Sequence, residues 1–130
     1  MSAENLDALM EAFTAARDNR LDASYDLLDE DVVWDVGDFP GGRFHGHDGV
    51  REFFRQWVGT FDDWAFEARE WIDAGHAIFV HMHQRGRGKA SGAATEIDFW
   101  QVWLFLDGKV VRFVQKPDRD SALQTAELAD

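Results

Sequence analysis

Residues 96–115 read EIDFWQVWLFLDGKVVRFVQ, and this stretch decides the fold. Asp107-Gly108 stands between two apolar, β-branched runs, the pattern of a tight hairpin. It predicts one strand over 96–106 and another over 109–115. Side chains alternate between the faces of a strand. Phe99, Gln101, Trp103 and Phe105 therefore form one row, and Trp100, Val102, Leu104 and Leu106 the other. Both rows are mostly apolar. A sheet with one solvated face should carry polar residues in one row, so both faces need a cover.

Upstream, further strands are predicted over 64–72 and 77–85, joined by the turn Asp73-Ala74-Gly75-His76. The glycine-rich stretch GRGKASGAA (86–94) turns the chain into the 96–106 strand. The first half reads as helical. Ser2 can cap a first helix with Glu4 in its first turn. Leu6, Leu9, Met10, Phe13 and Ala16 form an apolar stripe at helical spacing. A short second helix carries Leu21, Tyr25 and Leu28, and a strand follows over 32–36. An irregular loop over 37–46 contains Pro40. A third helix over 48–58 turns Val50, Phe53, Phe54, Trp57 and Val58 inward. Downstream, Pro117 and Asp118 end the last strand and cap a short helix anchored by Ala122, Leu123 and Leu128. Helices first and meandering strands later make an α+β pattern. The helices can shield only one face, and no spare element covers the other. The simplest cover is a second copy, hence a homodimer through the outer sheet face.

The totals narrow the class. A chain of 130 residues fits one domain, 1–130, with 45% hydrophobic and 29% charged residues. There is no cysteine, so disulfide and thiolate chemistry are absent. The formal net charge of −12 repels a phosphate backbone, which argues against nucleic acid as a partner. Arg85, Arg87 and Lys89 form one basic cluster, read as a solvated hairpin end. The N-terminus, MSAENLDALMEAF, shows neither a signal peptide nor a membrane span, so a cytoplasmic protein without a membrane partner is expected. Six Trp and eleven Phe exceed what a core of this size needs, and such residues line ligand pockets.

Several residues suggest chemistry. His81 and His83 are two apart on a strand and share a face. If that face is inward, either can act as acid or base near neutral pH. If it is outward, they are hydrogen-bonded and inert. His45-Gly-His47 adds a second His-x-His pair, so a metal site comes into view. His81-x-His83 is similar to the cupin metal motif, but no Glu follows at cupin spacing, and no metal is expected. Asp38 lies at the pocket mouth as a solvated loop acid or a base raised by Trp34, Phe39 and Phe44. Trp34, Phe53, Trp57, Phe79, Trp103 and Phe113 are candidate lining residues. Gln101 and Gln115 are polar residues on apolar rows. They bond each other or water, or they orient a ligand's carbonyl or hydroxyl. No Rossmann or phosphate-loop pattern occurs, so no cofactor is expected.

In this order and spacing, several segments resemble the SnoaL-like proteins of the nuclear transport factor 2-like superfamily. They are SAENLDALMEAF (2–13), LDASYDLLDEDVVW (21–34), FHGHDGVREFF (44–54), QRGRG (84–88) and VWLFLDGKVVRFVQKPDRDSAL (102–123). The resemblance implies a cone-shaped α+β fold, with helices on a strongly curved antiparallel or mixed sheet, a deep pocket and often a sheet-to-sheet dimer. It does not imply one activity, since the superfamily includes isomerases, epoxide hydrolases, cyclases and dehydratases. Against ketosteroid isomerases, the base position falls at Val36, the donor tyrosine at Phe13 and the donor acid at Gln101. Against the epoxide hydrolases and SnoaL cyclases, the last-strand acid falls near Gln115. Two functional readings follow. One is proton transfer on a small carbonyl or hydroxyl compound by Asp38 or His81, with Gln101, Gln115 and His83 around the substrate. The other is non-catalytic binding of a small apolar molecule, or a dimerisation module with a filled cavity.

Overall fold

Asp107 and Gly108 both take positive φ, +51° and +80°, as a type I′ hairpin turn requires. Around that turn the structure, a computed structural model, describes residues 2–18, 20, 24–37 and 42–129, and the side chains of 4–18, 20, 24–37 and 42–125. Helix α1 spans Ser2–Arg17, and a 3₁₀ turn covers Tyr25–Leu27. Strands β1 (Leu28–Asp35) and β2 (Arg43–His45) precede helix α2 (Gly46–Val58). Then come β3 (Phe61–Asp73), β4 (Ala77–Gly88), β5 (Ala94–Leu106), β6 (Lys109–Lys116) and helix α3 (Arg119–Ala129).

The six strands form one sheet in the order β2-β1-β6-β5-β4-β3. All neighbours are antiparallel except β1 and β6, which run parallel, so the sheet is mixed and open. Bulges interrupt β3 between Asp62 and Ala65 and between Ala68 and Glu70. Bulges bend a strand and increase its twist. The result is an α+β cone.

Three expectations need correction. Leu28 opens β1 rather than closing a second helix. Between the two helical spans stands the 3₁₀ turn, and Leu21 lies outside the described residues. The 37–46 segment contains β2, which pairs Trp34 with Phe44. Met10 points to solvent, while Leu9 and Phe13 carry the inward stripe of α1.

The hairpin's two rows divide the core. Phe99, Trp103 and Phe105 join Ile78, Val80, Met82, Phe113 and Trp34 on the face toward α1 and α2. Trp100, Val102 and Leu104 join Phe79, Val114 and Ala122 on the other face. This second cluster corrects the premise that no element is left to cover the outer face. Helix α3 lies there, with Ala122 and Val102 fully buried against each other's neighbours, while Leu106, beyond its reach, is 62% exposed. Asp118 starts that helix by accepting a hydrogen bond from Ser121 N at 2.8 Å. No described helix is long and apolar enough to cross a membrane.

Candidate functional site

Between α1, α2 and the inner face lies a cavity of about 480 Å³. Volumes of this order hold drug-sized ligands. Its inner end is an aromatic stack. Trp34 lies on Phe113 at 4.0 Å between ring centroids, and Trp103 meets both edge-on at 5.4 and 4.8 Å. Trp34 and Phe113 come together because β1 and β6 pair in parallel with these two residues in register. Phe13, on α1, closes over Trp103 at 5.8 Å. The other end carries Trp57 of α2 and Phe61 of β3, edge-on at 5.2 Å. Gly86 makes room there, since a Cβ at that position would sit 3.1 Å from the Phe61 ring.

Three glutamines interrupt this apolar wall. Gln101 and Gln115 face each other directly across β5 and β6. Gln84, on β4, is only 4% exposed. Trp57 Nε1 donates to Gln84 Oε1 at 2.8 Å, and Trp103 Nε1 donates to Gln101 Oε1 at 2.9 Å. Two more lining indoles, Trp34 and Trp64, bury N–H groups that have no partner among the described residues. Among the described lining residues, only Tyr25 carries an ionisable side chain.

Of the residues singled out from sequence, Trp34, Phe53, Trp57, Gln101, Trp103, Phe113 and Gln115 all line the cavity. Phe79, His81 and His83 do not. Val80, Met82 and Gln84 occupy the inward positions of β4, so alternation sends the odd-numbered residues outward. Phe79 packs in the outer cluster. His81 stacks on Trp100 at 5.2 Å. The His83 ring nitrogens lie 3.0 Å from Asp98 Oδ1 and 3.0 Å from Glu96 Oε1. The His83 hydrogen bond, aided by the charges of His83, Arg69 and His81 and opposed by burial, holds the Asp98 carboxyl below the usual carboxylate range. His81 and His83 therefore belong to an acidic surface cluster, not to the cavity.

Asp38 and Phe39 lie outside the described residues. Asp35, beside the Val36 position, is engaged elsewhere. It accepts from Gly37 N at 3.0 Å and from Arg43 Nη2 at 3.2 Å. His47 Nε2 contacts Leu28 O at 2.9 Å, which ties α2 to β1. Among the described residues, no three His, Asp or Glu side chains are arranged to hold a metal ion.

The family model described as "SnoaL-like domain" matches residues 6–113. Among curated proteins no sequence matches. Solved structures match along most of the chain. An NTF2-like protein of unknown function from Burkholderia pseudomallei is 26% identical, with 93% of this chain and 95% of that one covered at a TM-score of 0.79. An NTF2-like protein from Burkholderia thailandensis is 22% identical, covering 97% of each chain at 0.81. TerC, co-crystallised with polyporic acid, is 23% identical, covering 95% of this chain and 98% of its own at 0.76. With a mixed sheet wrapped on α1 and α2 and a family match over most of its length, the chain belongs to the SnoaL-like family within the NTF2-like fold.

Proposed function

We propose that the chain binds a small, largely apolar molecule bearing a carbonyl or hydroxyl oxygen. The observation that carries this reading is the 480 Å³ cavity, walled by aromatic rings and broken by three amides. Apolar walls with a few placed polar groups are the usual form of a small-molecule site. TerC, which shares the fold, was crystallised with polyporic acid, in keeping with this reading. The test is titration of the chain with 4-acetylbiphenyl and 4-phenylphenol, followed by tryptophan fluorescence. Four of the six Trp line the cavity, so saturable quenching is expected. Absence of saturable binding by both compounds overturns the proposal.

A second reading is proton transfer on the bound carbonyl compound, with Asp38 as base. Gln84 and Gln101 favour it, because amide N–H groups can stabilise an oxygen that gains negative charge. Asp38 would take a proton from the carbon beside the carbonyl, with the electron pair moving to the oxygen, and would then return it. The expected result is deuterium exchange at the methyl group of 4-acetylbiphenyl in D2O, seen by NMR and lost in Asp38→Asn. Exchange at the buffer rate in the unmodified chain removes this reading and leaves the binding proposal standing.

A further inference from the structure

The two indole–amide pairs determine which way their amides face. An indole N–H is a donor only, so the amide atom it meets must be oxygen. Gln84 and Gln101 therefore each commit Oε1 to an indole, at 2.8 and 2.9 Å. Each is left with an Nε2 that has no partner among the described residues, on a side chain that lines the cavity. The two amides lie at different depths. Gln101 pairs in register with Val80, four residues along β4 from Gln84. At about 3.4 Å per residue, the two rows stand about 14 Å apart. One donor sits at the inner end beside Trp103, and the other at the Trp57 and Phe61 end. The wall between them is apolar, with Met82 and Phe99 in the intervening row.

We infer that the cavity is a two-ended site for a neutral, elongated apolar molecule with a hydrogen-bond acceptor at each end. Gln84 and Gln101 are its specificity-determining donors, and Trp57 and Trp103 are positioning residues that hold those donors toward the ligand. This rests on the binding proposal above and narrows it, since a pinned N–H rewards a carbonyl oxygen at either end. A hydroxyl must find an acceptor for its own proton as well. A carboxylate would enter a wall where no described residue carries a cationic side chain.

The test uses biphenyl, 4-acetylbiphenyl and 4,4′-diacetylbiphenyl, titrated into the unmodified chain and into Trp57→Phe, Trp103→Phe and Gln101→Met. Each engaged end should tighten binding roughly three- to tenfold, the net worth of one neutral hydrogen bond. The diacetyl compound should therefore bind tightest. Either Trp→Phe change keeps an aromatic ring but frees one amide to turn. Each should bring the diacetyl affinity down to that of the monoacetyl compound, whatever it does to the affinity for biphenyl itself. Loss of packing alone would weaken all three ligands equally, so the ratio of affinities separates positioning from structure. Gln101→Met removes one donor directly and should give the same ratio as Trp103→Phe. If no compound binds, the binding proposal fails. Should all three bind the unmodified chain equally, or the diacetyl preference survive in both Trp→Phe variants, the two-ended inference is overturned and the cavity remains a plain apolar one.

Discussion

Ala12 lies on α1, where it lines the cavity between Leu9 and Phe13. Replacing it with Leu asks whether the space beneath the helix is hollow. Leu adds three carbons, and full transfer of each from water is worth about 0.8 kcal/mol. Ala12 is half-buried, so about half of that total, roughly 1 kcal/mol, is available. Ordering the longer side chain takes back about 0.5 kcal/mol, and Leu is almost as good a helix former as Ala. The expected net is stabilisation by about 0.5 kcal/mol, a rise in Tm of roughly 1–3 °C for a chain of this size. The same change in a solidly packed interior overpacks it and destabilises by about 1–3 kcal/mol. The sign therefore decides. Urea and thermal unfolding followed by circular dichroism measure it, and a clear loss of stability in Ala12→Leu would refute the hollow. A second readout is affinity, because Leu occupies ligand space. Binding of 4-acetylbiphenyl should weaken while stability rises.

Phe113 is 1% exposed and stacks on Trp34. Phe113→Ala should cost about 3–5 kcal/mol in urea unfolding, and a cost below 1 would show that the aromatic stack is loose. Gly86→Ala sets a methyl group 3.1 Å from the Phe61 ring. It should shift Phe61 from Trp57 and alter ligand affinity more than stability, whereas unchanged affinity would mean that Phe61 does not border the site. Hydrogen bonds from Arg55, at 2.7 and 2.5 Å, and from Gln56 hold the Glu52 carboxyl at about 2. Asp118 lies below its usual range through its bonds to Ser121. Both are depressed relative to the unfolded chain. Their contributions are thus present above the unfolded values, near 4.5 for Glu52 and 3.8 for Asp118, and fade as pH falls through the folded ones. Stability should fall between about pH 4.5 and 2, and an NMR titration should place Glu52 near 2 and move it upward in Arg55→Gln. A Glu52 midpoint near 4.5 in the unmodified chain would contradict the contact.

Much of the fold is legible in one hairpin. Asp107-Gly108 sets the turn, and alternation from it sorts Phe99 to Leu106 into the two clusters the structure contains. Alternation also shows that His81 and His83 share a face, but not which one. That depends on the neighbours Val80, Met82 and Gln84 turning toward α1 and α2, a tertiary choice. Phe79 follows the histidines outward for the same reason. Gln84 does not stand out in the sequence because it directly precedes the basic cluster Arg85, Arg87 and Lys89, which reads as a solvated hairpin end. The signal for it is the even spacing from Val80 and Met82. Strand β2 has three residues, too few to show a period. Helix α3, expected as a short helix anchored by Ala122, Leu123 and Leu128, is eleven residues long and covers part of the outer face. The apolar hairpin rows demand cover on both faces, and both are covered in the structure. What the pattern leaves open is which face the predicted helix after Pro117 covers, a tertiary choice that puts Ala122 against the outer row.

The central claim is that α1 and α2 roof a ligand-sized hollow over the inner sheet face. A crystal structure of the chain grown with 4-acetylbiphenyl tests it most directly. Ligand density is expected among Trp34, Trp57 and Trp103, with the carbonyl oxygen within hydrogen-bonding reach of a glutamine amide. An interior closed around those rings, or ligand bound only on the α3 side of the sheet, would contradict it.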